Sequence, residues 1–289
     1  MMFSRLRTLI FIFCCGVLGT SLNAQQITFS LVDKAVIIDR VRESPPKNQD
    51  REQKIKDLFA SVGCAASTVE QPVKHAKTPN VICRLQGETN EEIIVGAHYD
   101  KVSAGTGTID NWSGASLLAS LYAGLAGQKR HHTFVFVAFT GEEEGLIGSE
   151  FFVKHMSKEE VANTRAMINM DTLGLSYTRI WAHRADKNLV QAMLAVAGSL
   201  KIPVGEMNVE QVGSTDSESF AARHIPRMTI HSLTQEKLSV LHSPEDKFKE
   251  LRPDDYYDTY RLMETCLAYL DVKPASMPAG SPPAGHPKN

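Results

Sequence analysis

Three glutamates stand side by side in Val137-Ala-Phe-Thr-Gly-Glu-Glu-Glu-Gly-Leu-Ile-Gly-Ser-Glu-Phe-Phe152: Glu142, Glu143 and Glu144, directly after an apolar run. Adjacent like charges repel, and their ionised forms are disfavoured unless something positive lies near. Two further apolar runs end in the same manner. Ile93-Ile-Val-Gly-Ala-His98 is followed by Tyr99 and Asp100, and Arg165-Ala-Met-Ile-Asn-Met-Asp171 closes on an aspartate. Solubility alone would be served equally well by lysine, serine or asparagine. Clustered carboxylates need a cation, and imidazole among them selects a transition metal over calcium or magnesium. Zinc is the default for such a His and Asp/Glu set. The chain has no His-Glu-x-x-His and no Cys-x-x-Cys, so the ligands must come from several loops and not from thiolates.

The elements that must position these groups follow from periodicity. The runs 93–98, 134–139 and 165–171 are β-branched and aromatic without alternation, as in strands buried on both faces. Between the first two, residues 113–128 place Leu117, Leu118, Leu121 and Leu125 on one helical face. Residues 187–201 have helical spacing. Residues 253–270 open on Pro and Asp, a helix start, and carry Tyr260, Met263, Leu267 and Leu270 on one side. Alternating strands and helices predict an α/β sandwich with a mostly parallel sheet, whose site lies at the carboxyl ends of the strands.

The remaining chain sets bounds. Its 289 residues are 43% hydrophobic, enough for a sizeable core, and 31 Lys and Arg nearly balance 33 Asp and Glu. No Lys/Arg-rich block marks a nucleic-acid surface. Residues 1–24 read as a signal peptide: Arg5 and Arg7 precede a short apolar run, and Ala24 offers a small residue at the cleavage point. The expected protein is therefore secreted or periplasmic, without stable membrane insertion. Cys14 and Cys15 leave with the signal; Cys64 and Cys83 are able to pair in an oxidising compartment, and Cys266 reads as a small buried apolar residue. Residues 25–273 read as one domain, and 274–289, rich in Pro and Gly, as a disordered tail.

His98-Tyr-Asp100, Asp110-Asn-Trp-Ser-Gly114, Gly141-Glu-Glu-Glu-Gly145, Asn169-Met-Asp171 and His242-Ser-Pro-Glu-Asp246, in that order, resemble the two-zinc aminopeptidase family, which also contains glutaminyl cyclases. The resemblance covers about residues 79–271. It implies a three-layer zinc-peptidase (phosphorylase/hydrolase-like) sandwich around a mixed, mostly parallel sheet. It implies that one zinc ion takes His98 and Asp171, the other Glu143 and His242, and that Asp110 bridges both. Glu142 is then the unbound general base, and the peptide bond after Asp110 is cis. Charge counting agrees: three carboxylates and a hydroxide neutralise two zinc ions without Glu142. The expected reaction is hydrolysis of N-terminal residues from peptides with a free N-terminus, through a metal-bridging water.

The same residues leave competing readings. Glu144 reads as a solvated or helix-start residue, although the pair is also readable as Glu143 and Glu144. Asp100, two residues from His98 on an extended strand, is placed to orient the imidazole, and Asp246 to do the same for His242. His231 competes with His242. His131 and His132 read as surface residues. Asp216 to Phe220 falls where the family carries a loop near the substrate, but Ser217 stands where a histidine is common. A glutaminyl cyclase, with one working zinc ion, and a non-catalytic binding domain are the alternatives.

Overall fold

The computed structural model describes residues 27–272. The expected leader and tail lie outside the described residues. Eight strands form one sheet: β1 (Thr68–Gln71), β2 (Asn80–Leu85), β3 (Glu92–His98), β4 (Thr133–Phe139), β5 (Thr164–Met170), β6 (Arg179–Ile180), β7 (Gly205–Glu206) and β8 (Arg227–His231). Their order is β1-β2-β4-β3-β5-β8-β6-β7. The central strands β4, β3, β5 and β8 are parallel, whereas β1 and β2 on one side and β6 on the other join antiparallel. Among the described residues seven α-helices accompany them: α1 (Lys34–Arg42), α2 (Asn48–Ser61), α3 (Ser113–Leu125), α4 (Ile147–His155), α5 (Lys158–Asn163), α6 (Lys187–Leu200) and α7 (Pro253–Asp271).

Alternation along the strands sorts the core into two layers. Phe134, Phe136 and Ala138 of β4, with Ile93, Val95 and Ala97 of β3, face the core shared with α1, α2, α3, α6 and α7. Val135, Val137 and Phe139 point the other way, onto Phe152 and Val153 of α4 and onto Phe220. The Phe139 ring stands edge-on to Phe152, centroids 5.8 Å apart. Helices on both faces explain why every residue of β3 and β4 is buried. The expected three-layer α/β architecture is the observed one.

Helix limits follow local chemistry. Pro253 sits in the first turn of α7 with Asp254 and Asp255, as its start predicted. Asp186 caps α6, its carboxylate accepting from the N–H of Asn188 at 2.9 Å and Leu189 at 3.2 Å. α3 stops at Leu125 rather than Gln128, where Gly127 disfavours helix. Cys64 and Cys83 are disulfide-bonded, tying the end of α2 to β2, and Cys266 is buried as a free thiol. No described helix is long and apolar enough to cross a membrane. One expectation is corrected: His132 is buried, its Nδ1 3.3 Å from Asp271 Oδ1, and His131 is half-buried beside it. Asp271 lies at the end of α7, too distant in sequence for the pairing to be read there.

Candidate metal centre

His98, Glu142, Glu143 and Asp171 sit at or just past the carboxyl ends of parallel strands, and Asp110 and His242 join them from loops. β3 delivers His98, which is 1% exposed. Residues Thr108–Trp112 form a kinked segment before α3, with Asp110 at φ −113° and ψ 96°, and the Asp110–Asn111 peptide is cis. β4 leads through Gly141 to Glu142 and Glu143. Gly141 has φ +65°, and a Cβ there would meet the Ile147 side chain at 2.4 Å, so the turn requires glycine. β5 leads to Asp171. His242 arrives from a loop beyond β8, with φ +52°. Glu144 is exposed, whereas Glu142 and Glu143 are half-buried.

The side chains converge into two overlapping groups. His98 Nε2 lies 3.3 Å from Asp110 Oδ1 and 3.6 Å from Asp171 Oδ1. His242 Nε2 lies 3.4 Å from Asp110 Oδ2 and 2.9 Å from Glu143 Oε2. Glu142 Oε2 stands 3.9 Å from His98 Nε2. Atoms about 2.0–2.2 Å from one zinc ion in a tetrahedron lie about 3.3–3.6 Å from each other. The donor types and their spacing therefore fit zinc. Glu143 Oε1 is also buried without a hydrogen-bond partner among the described residues, a cost that a cation would remove.

Protonation reports the same crowding. Burial pushes Glu142 up to about 10 and Glu143 up to about 7. The hydrogen bond with Asp110 raises His242 to about 9. Burial would raise Asp110 too, but hydrogen bonds from His242 and His98 prevail and hold it well below the usual carboxylate range. Without cations the cluster takes up protons, as expected where negative charge is gathered for a metal.

The supporting groups differ in part from expectation. Asp100 Oδ1 stands 3.6 Å from His98 Nδ1, too long for a hydrogen bond. Its oxygens instead accept the N–H groups of Glu142 and Glu143, each at 3.2 Å, and fasten the glutamate loop to β3. Asp246 does not orient His242. Its carboxylate accepts from the N–H of Ile109 at 2.7 Å and of Asp110 at 3.2 Å, and so positions Asp110 through its backbone. The turn after His242 carries Asp246 toward the kinked segment, where two N–H groups are available. His231 is excluded as a rival to His242: Nδ1 accepts from Leu233 N at 3.1 Å and Nε2 donates to the Met207 carbonyl at 3.2 Å. Neither ring nitrogen is free, and burial lowers its pKa to about 4.

Several contributors escaped sequence reasoning. Thr215 donates to Asp171 Oδ2 at 2.9 Å and is itself held by Asn169. Asp216, next in the chain, is fully buried with neither carboxylate oxygen partnered among the described residues, and burial raises it to about 7. The doubtful 216–220 loop thus adds an acid near the site. Buried Arg51 of α2 donates to the carbonyls of Tyr99, Thr106 and Gly107, joining the loops that carry His98 and Asp110. A lone arginine on an amphipathic helix gives no signal of that task. Beside the acids opens a cavity of about 270 Å³ with Leu146, Trp181, Val209, Val212, Leu233 and Leu241 along its wall.

Known proteins resemble the chain in sequence and in fold. Aminopeptidase YwaD of Bacillus subtilis is 28% identical over 194 residues, covering 64% of this chain and 42% of its own. The chain spans well under two thirds of the length of the curated relatives it matches. The LapA aminopeptidase of Legionella pneumophila superposes with a TM-score of 0.71 at 17% identity, over 83% of this chain and 71% of that one. A glutaminyl cyclase from an Acidobacteriales bacterium superposes with a TM-score of 0.70 at 17% identity, over 88% of this chain and 99% of its own. Both share the fold. Residues 80–267, well over half of the sequence, match the model of peptidase family M28, and the chain belongs to that family.

Proposed function

We propose that this chain is a secreted or periplasmic zinc aminopeptidase that removes N-terminal residues from peptides. One observation carries the reading: the two oxygens of Asp110 face two different imidazole–carboxylate groups, 3.3 Å from His98 Nε2 and 3.4 Å from His242 Nε2. On this reading His98, Asp110 and Asp171 would hold one zinc ion, and Asp110, Glu143 and His242 would hold a second. Bound there, zinc supplies Lewis acidity and a water acidic enough to lose its proton near neutral pH. Glu142 would serve as the general base, accepting a proton at its carboxylate and passing it to the leaving amine. Asp100 keeps Glu142 in place by holding its backbone N–H. The carboxylates of the site receive the free ammonium of the substrate, and the wall from Leu146 to Leu241 favours an apolar N-terminal side chain. The Cys64–Cys83 disulfide supports an oxidising compartment.

The test is a panel of aminoacyl chromogenic substrates, each beside an N-terminally blocked counterpart. Leucyl and other apolar derivatives are expected to turn over fastest, blocked ones not at all. A chelator abolishes the activity and added zinc restores it. Cleavage of blocked substrates would sink the exopeptidase assignment. Ammonia and a cyclised product from an N-terminal glutaminyl peptide, in place of free glutamine, would replace it with cyclase chemistry.

A further inference from the structure

A separate imidazole–carboxylate group lies at the opposite, amino-terminal end of the central strands β3 and β4. Glu91 precedes β3, and His131 and His132 precede β4; one ligand atom from each lies within 4.8 Å of the other two. Seven residue steps of extended chain lead from Glu91 to His98, about 23 Å at the usual strand rise. This group is therefore independent of the centre described above. We propose that it is a structural zinc site, which clamps the starts of β3 and β4 together beside the end of α7.

Geometry supports a metal here in four ways. Glu91 Oε2 lies 3.5 Å from His132 Nε2 and 3.7 Å from His131 Nε2, close to the edge of a zinc tetrahedron. Arg165 occupies the other oxygen, Oε1, so Oε2 is the one left for the imidazoles. Asp271 sets the tautomer of His132. A carboxylate only accepts, so Nδ1–H of His132 points at Asp271 Oδ1, 3.3 Å away, and in the neutral ring the lone pair is then on Nε2, the nitrogen facing Glu91. An imidazole braced from behind by a carboxylate is the usual support of a metal ligand. Finally, the backbone carrying the pair is fixed in advance. Asp271 accepts the N–H of His132 at 2.8 Å and of His131 at 3.3 Å, and Thr89 donates its hydroxyl to the His131 carbonyl at 2.8 Å. Gly87 packs so tightly there that a Cβ would fall 2.3 Å from the His132 carbonyl carbon.

Charge selects the kind of ion. Arg165 pairs with Glu91, and Arg130 Nη1 lies 3.8 Å from Asp271 Oδ2, so each acid already has a guanidinium. Little net negative charge remains to draw calcium or magnesium. Affinity must come from the two imidazole nitrogens, which suits zinc and its neighbours.

The rival account is that protonated imidazoles merely pair with Glu91. Zinc content decides between them. The full chain, its His131→Ala and its Glu91→Gln variants are dialysed to equilibrium against the same free zinc chloride, and zinc per chain is measured by mass spectrometry. Both variants are expected to hold one zinc ion fewer than the wild type while cleaving substrate at the wild-type rate. His242→Ala is expected to lose metal from the other centre and keep this one. Zinc is also expected to raise Tm less in His131→Ala than in the wild type. Equal zinc content in wild type and either folded variant overturns the proposal.

Discussion

Glu142 and Glu143 are neighbours in the chain, yet they meet different partners. Glu143 Oε2 touches His242 at 2.9 Å, while the nearest imidazole nitrogen to Glu142 is 3.9 Å away. Carboxylate-to-amide substitution keeps shape and removes the proton acceptor, so it separates the two roles. Glu142→Gln is expected to retain zinc and lose kcat by about 10²- to 10⁴-fold, the usual weight of a general base. Glu143→Gln is expected to lose zinc itself. Near wild-type turnover in Glu142→Gln would remove that residue from the mechanism. At this scale the sequence was most informative about residues ending apolar runs. Acids and imidazoles that follow buried parallel strands emerge on the same side of the sheet, and their mutual repulsion calls for a shared cation. The sequence was less informative about direction. Asp100 shares a strand face with His98, but its oxygens are drawn to two backbone N–H groups that only the folded loop presents.

Elements position these groups through a few buried contacts that cross long stretches of chain. Asp246 satisfies the N–H of Ile109 and Asp110, 137 and 136 residues away. Removing its carboxylate leaves two buried donors unpaired, at about 1–3 kcal/mol each. Asp246→Ala is therefore expected to lower Tm and weaken zinc retention together, with Asp246→Asn intermediate because one amide oxygen remains. Calorimetry and zinc titration of both variants check this. A lower Tm with wild-type zinc affinity would show that Asp246 stabilises the fold without placing Asp110. Legibility of the elements follows from burial. β3, β4 and β5 are covered on both faces and read as unbroken apolar runs. The two-residue strands β6 and β7 carry too few side chains for any period to register, and β1 lies half-exposed at the sheet edge. Arg51 acts through backbone carbonyls, and Thr215 through the Asp171 carboxylate and the Asn169 amide, all supplied by other segments, which no local pattern encodes.

At the scale of the whole molecule, the chain also buries an acid away from the candidate metal centre. Glu264, in the middle of α7, is fully buried against α3, where Gly124 makes room for it: a Cβ at Gly124 would lie 2.4 Å from the Glu264 carboxylate. Neither oxygen has a hydrogen-bond partner among the described residues. Burial raises its pKa well above the ordinary value, and the more distant Arg130 offsets only part of that. Folding therefore keeps a proton on Glu264 that the unfolded chain releases at ordinary carboxylate pH. Where the folded chain binds more protons, stability falls as pH rises, from the unfolded pKa until the folded pKa is passed. The slope is at most about 1.4 kcal/mol per pH unit for one group. Glutamine fills the same space with no proton to lose. Melting curves of wild type and Glu264→Gln, both zinc-loaded, are expected to diverge as pH rises above the ordinary carboxylate range, with glutamine gaining steadily toward alkaline pH. Parallel curves would mean that Glu264 ionises as readily inside the protein as outside. Its carboxylate would then have a stabilising partner, and the α3–α7 contact would be an ion-binding junction rather than an apolar one.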